Sequence, residues 1–200
     1  MKKITLLGVF LLSVAGFSQT NKQKIQTYFE NNLPKYGLTS QDISDLNIRS
    51  EVYGNGTKVT SCRVVQRYQG TDLYQVEASV AVKDGQIFRV ESSFVNNIAS
   101  KVNAVQPALS VTNAIARVYN DLGVTGANFA VQSSESAKSL ILSDGLQEDH
   151  ILAKLVYYAV DKEHLKLAWH YDFYQPGTSN YWTTSIDALN GQILEKIILL

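Results

Sequence analysis

One cysteine, Cys62, stands in 200 residues, so no intrachain disulfide is available and stability must come from a packed core. Cys62 alternates with Ser61 and Arg63 in a strand-like run. No base stands beside it in sequence to form a thiolate, and the residue is expected to be a buried, inert thiol. Proline is scarce, with three copies, whereas tyrosine has eleven, a balance that leans towards β-structure. Neither sign of charge is in excess, with 18 basic and 18 acidic residues. There is no basic excess to hold phosphates, and nucleic acid is not an expected partner. The zinc-peptidase helix motif H-E-x-x-H is missing. The three histidines, His150, His164 and His170, are neither followed by glutamate nor four residues from one another, and are expected at the surface. A G-x-S-x-G elbow, a P-loop and a dinucleotide fingerprint are missing too. The chain as given is therefore expected to have no catalytic residues, no metal site and no cofactor of its own.

What is present begins with a targeting segment. Met1-Lys2-Lys3 is a charged start, and Ile4 to Phe17 is almost wholly apolar. Gly16-Phe17-Ser18 supplies small residues at the positions a signal peptidase reads. The apolar run is shorter than the ~20 residues of a membrane span. Cleavage is expected between Ser18 and Gln19, giving a secreted or periplasmic protein that is free of the membrane. Loss of Lys2 and Lys3 leaves 16 basic against 18 acidic residues, a net charge of −2.

Thr20 or Asn21 is placed to cap a helix whose stripe is Ile25, Tyr28, Phe29 and Leu33, with Pro34 and Gly37 ending it. Thr39 and Ser40 before Asp42 and Ile43 suggest one further capped turn. Four strands follow: Leu46–Tyr53, Thr57–Tyr68, Leu73–Lys83 and Gln86–Phe94. Turns at Gly54-Asn55-Gly56, Gln69-Gly70 and Asp84-Gly85 separate them. Asn55-Gly56-Thr57 also matches a glycosylation sequon, although the turn alone accounts for the asparagine. In the fourth strand, strict alternation places Ile87, Arg89, Glu91 and Ser93 opposite Phe88, Val90, Ser92 and Phe94. Asn96 to Gln106 is polar and weakly patterned and reads as a linker.

The second half opens with Ser110 capping a helix over Val111–Leu122, stopped by Gly123. A short strand around Phe129–Val131 and another at Ser139–Leu142 are expected next. From His150 the chain is richest in pattern. Leu165, Leu167, Trp169, Tyr171 and Phe173 alternate with Lys166, Ala168, His170 and Asp172, as in a strand with one buried face. The polar stretch Asp161–His164 and the dipeptide Asn190-Gly191 read as hairpin turns of an antiparallel meander. The fold class is thus α+β, with two small modules, each a helix packed on an antiparallel meander.

Two stretches carry a family resemblance. "VVQRYQGTDLYQVEASVAVKDGQIFRVESSFV" resembles the FTP module of fungalysin and thermolysin propeptides, with Gln66, Gly70 and Asp84-Gly85 in the family's places. It departs at Thr71-Asp72, where an apolar-proline pair is common. Leu167-Ala168-Trp169 and Asp187-Ala188-Leu189-Asn190-Gly191-Gln192-Ile193-Leu194 resemble the PepSY-type, cystatin-like module that ends such propeptides. After the expected signal peptide, residues 1–18, the resemblance implies 19–106 as the FTP-like module and 107–200 as the PepSY-like module. It further implies the propeptide of a secreted fungalysin-like zinc metalloendopeptidase, inhibiting its catalytic domain and assisting its folding. The partner would be that domain, in cis or in trans, with zinc only there. The alternative is a stand-alone exported PepSY-type module that binds peptides or inhibits a protease in trans. The C-terminal aromatics and apolar end, Tyr174, Tyr181, Trp182, Ile197 and Ile198, are the candidate interface. Residues from Glu195 to Leu200 are either a candidate segment to thread the partner's cleft or, equally, the end of a core strand.

Overall fold

The computed structural model describes residues 19–199; the expected signal segment with Ser18, and Leu200 at the other end, lie outside the described residues. The elements in order are α1 Asn21–Asn31, α2 Leu33–Tyr36, β1 Asn47–Gly54, β2 Val59–Tyr68, β3 Thr71–Lys83, β4 Gln86–Ser92, α3 Ile98–Lys101, α4 Val111–Asp121, β5 Ala130–Ser136, β6 Ser139–Ser143, β7 Ile151–Ala159, β8 Leu165–Tyr174, β9 Tyr181–Asp187 and β10 Ile193–Leu199. This is an α+β fold in which a few short helices accompany one large, mostly antiparallel sheet. The path β1-β2-β3-β7-β8-β9-β10 runs through both halves; β4 pairs with β3, and the β5–β6 hairpin pairs with β7. The halves meet where β3 and β7 run parallel, Asp72 beside Val156 and Leu73 beside Tyr157, and again at a parallel bridge between Val102 and Leu165.

Helices cover one side of this sheet. Thr20 caps α1 in a reciprocal capping box with Gln23, and α1 buries Ile25 and Phe29. These pack with Ile43, Cys62, Val64, Ala78, Val80 and Val82 as a first core. Ser110 caps α4, whose Ala114, Ile115, Val118 and Tyr119 meet Leu167, Trp169, Tyr171 and Phe173 in a second, larger core. Burial there, reinforced by the charge of Tyr68, pushes the Tyr157 phenol up to about 12. Burial and the charge of Glu51 likewise push the Cys62 thiol up, and Cys62 is the buried thiol expected.

Three expectations are corrected. The strict alternation of the fourth strand fails, because the β3–β4 register shifts between Ala81 and Val82. Ile87 then joins Val90 against the first core, and Phe88 turns out to solvent. The stretch 96–106 is no free linker. The buried Asp42 carboxylate accepts from the backbone N–H of Asn97 and of Ile98, both at 2.9 Å, and Ile98 is fully buried. Gln66, also fully buried, bonds Val95 in both directions at 2.7 Å and donates to the Asp42 carbonyl. Finally, the Asn190-Gly191 connection is not a two-residue turn with positive φ at both centres. Only Gly191 has positive φ, and its N–H closes a wider loop on the Asp187 carbonyl at 2.8 Å.

Candidate functional site: the uncovered face of the sheet

The registers sort every strand residue onto the helix-covered side or the other. On the uncovered side of the second half, rows run straight across five strands. One row is Ile141, Leu152, Asp172, Thr183 and Ile197; the next is Ser139, Lys154, His170, Ser185 and Glu195. Beyond the first lies Tyr174 beside Tyr181 beside Leu199. The outer two rows are mainly apolar and accessible, with Leu152 50%, Tyr174 44%, Ile197 43% and Leu199 51% exposed. An apolar surface of this kind, rimmed by polar rows, is a protein-interaction feature.

The candidate interface residues divide between the two sides. Tyr174, Tyr181 and Ile197 come together on the uncovered face, the two tyrosine rings meeting edge-on at 4.7 Å. Trp182 and Ile198 lie on the helix side. Trp182 packs against the second core, with its indole N–H donating to Gln175 Oε1 at 2.9 Å. Period-two geometry separates neighbours such as Tyr181 and Trp182, so sequence adjacency misplaced them. Gln19 is exposed at the first described position, and its partner in the cleavage site, Ser18, is undescribed. Glu195–Leu199 belongs to the paired strand β10, the second of the two readings given for this segment.

A polar groove of about 480 Å³ lies where the halves join. Its centre is Asp72, which accepts from Lys154 Nζ at 2.6 Å and pairs with Arg67 at 3.2 Å and Arg49 at 3.4 Å. Arg49 and Arg63 both pair with Glu77. Along this stretch β3 advances five positions while β2 advances two, from Glu77 opposite Val65 to Asp72 opposite Arg67. The excess forms a bulge, and Gln75 within it has φ +59°, a conformation that costs a non-glycine residue energy and clusters at functional sites. Next to it, His170 is only 8% exposed, against the expectation of a surface residue. Its ring packs on Tyr74 at 4.3 Å, bonds Ser185 through Nδ1 at 2.9 Å, and sits 3.6 Å from Asp172. Burial acts to raise the Asp172 carboxyl, but its hydrogen bond to His170, His170's charge and Thr183 outweigh it and hold the group below the usual carboxylate range. His150 is exposed, and His164 bonds Asp161 within its own turn. No group of three metal-ligating side chains stands together among the described residues.

No family model matches the chain, and no curated protein matches it. Among solved structures, the chain is similar to the Bacillus megaterium YpeB C-terminal domain, with TM-score 0.39 and 10% identity over 92% of this chain and 67% of that one. A likeness of that size carries no function across.

The groove was largely invisible in sequence, because its ion pairs join residues up to 82 positions apart. One signal pointed there: Thr71-Asp72, where the FTP pattern favours an apolar-proline pair, is the place of the central carboxylate. A second was the set alternating with the apolar face of β8, Lys166, Ala168, His170 and Asp172, of which His170 and Asp172 line the groove.

Proposed function

We propose that the chain is an exported, non-catalytic PepSY-type module that docks on the catalytic domain of a fungalysin-like zinc metallopeptidase and inhibits it, in cis as a propeptide or in trans as a separate inhibitor. The observation that carries this reading is the uncovered sheet face, where accessible apolar rows adjoin an ion-paired groove. The FTP-like and PepSY-like sequence patterns supply the partner's identity. Docking would bury Leu152, Tyr174 and Ile197 at the centre of an interface, with the charges of the groove towards its rim, the usual arrangement of such contacts. Zinc and every catalytic group belong to the partner.

The test is inhibition of peptide hydrolysis by a purified fungalysin-like catalytic domain. Micromolar inhibition is expected, corresponding to roughly 8 kcal/mol of binding. Leu152→Asp and Tyr174→Ala should weaken it at least about tenfold, about 1.4 kcal/mol, with the melting temperature unchanged. Trp182→Ala is expected to lower thermal stability, because that indole packs on the core. A well-folded protein with no effect at high micromolar concentration would overturn the reading.

A further inference from the structure

We infer that β10 is a strand-addition edge, on which the inhibited catalytic domain lays an extended segment of its own chain. This rests on the docking reading above and deepens it. β10 ends the sheet path and pairs only with β9, so along Ile193–Leu199 its outer backbone groups have no strand partner among the described residues. Such an edge templates another strand unless charge, proline or a bulge blunts it.

The other edges are blunted. The register of β1 breaks between Ile48 and Ser50, and β1 carries Arg49 and Glu51. β4 is bulged and charged at Arg89 and Glu91, and β5 is polar with two register shifts. In β10 the one shift comes early, between Ile193 and Glu195. Lys196 is drawn to Asp121 on the helix side, which leaves Ile197-Ile198-Leu199 regular and uncharged.

Continuity with the docking face selects the occupant. The apolar rows of that face run out to Ile197 and Leu199, so a strand added here continues both rows without a step. Its residues opposite Ile197 and Leu199 would be apolar and β-branched or aromatic, the cross-strand neighbours such positions favour. The residue between them, opposite Ile198, would also be uncharged. Main-chain hydrogen bonds would supply affinity and these positions selectivity.

Amide hydrogen exchange on the complex with the catalytic domain tests this, with Ile198→Lys as its companion. Ile198 lies off the docking face, so a lysine there opposes edge pairing while leaving the apolar rows intact. The expected result is at least about tenfold slower exchange within 193–199 on binding, unchanged exchange in β1, and at least about tenfold weaker inhibition by Ile198→Lys. Should Ile198→Lys fail to fold, exchange in the unaltered protein decides alone. Inhibition with unprotected β10 amides and a fully active Ile198→Lys protein would overturn the edge and leave the docking reading standing. Absence of any complex would overturn both. Protection of 193–199 without the catalytic domain, at twice the monomer mass, would assign the edge to a second copy and overturn the stated occupant.

Discussion

Asp42 shows how one carboxylate fixes a segment 55 residues away. Its Oδ2 accepts from Thr39 N–H and Oγ1 at 2.8 Å and from Asn97 N–H at 2.9 Å, while Oδ1 takes the N–H of Ile98. Burial raises its pKa, but these donors outweigh burial, so the group titrates below its ordinary value. A carboxyl lowered by folding stabilises above its unfolded pKa, about 3.9, and that contribution is lost as pH falls through the folded value. Asp42→Asn would point an amide N–H₂ at donors and should cost about 3 kcal/mol at pH 7. It should also flatten the loss of stability below about pH 4, as urea titrations across pH would measure. An unaltered acid slope would show that other carboxylates govern acid unfolding.

At the scale of elements, the β9–β10 connection is held by Asp187. Its Oδ1 accepts from Leu189 N–H at 2.9 Å, and its Oδ2 pairs with Lys166 at 3.1 Å. Gly191 closes the loop at φ +75°, and a Cβ there would lie 2.5 Å from Arg117 Cδ and Nε, the arm that donates to the Asn190 carbonyl at 3.0 Å. The long arginine can move aside, so the backbone conformation sets most of the cost. Gly191→Ala should destabilise by about 1–2 kcal/mol and loosen β10, seen as faster amide exchange over 193–199. Equal exchange in both proteins would place the control of this edge in its pairing with β9 alone.

For the whole molecule, the question is how two cores behave as one unit. Only two residue pairs join the β3 and β7 backbones, and side chains reinforce them. Asp72 pairs with Lys154, Lys138 donates to the Gln69 carbonyl and to Thr71 Oγ1 at 2.7 Å, and Tyr68 packs on Tyr157. Both tryptophans, Trp169 and Trp182, lie in the second half, so indole fluorescence reports that half while far-UV circular dichroism reports both. The unaltered protein should unfold with coincident transitions. Asp72→Ala strands three part-exposed cations and should cost about 2 kcal/mol, discounted for their solvent screening. It should also pull the two transitions apart. Coincident curves in the variant would show that the shared sheet alone couples the halves.

Local rules were enough to read much of this from sequence. Thr20 and Ser110 begin helices because a side-chain oxygen beside free N–H groups caps them wherever they fall. Asp84-Gly85 turns the chain, with both residues at positive φ. The alternation from Leu165 to Phe173 faces a core because side chains on a strand change sides at every residue. Tertiary structure alone decided the rest. That one edge of β3 passes from β4 to β7, that Asp72 gathers Arg49, Arg67 and Lys154, and that Tyr174 and Ile197 share the uncovered face while Trp182 and Ile198 lie together on the other, all depend on which strands become neighbours and in what register. Those choices follow from burying two separate apolar faces under helices far away in sequence, a constraint that no local window contains.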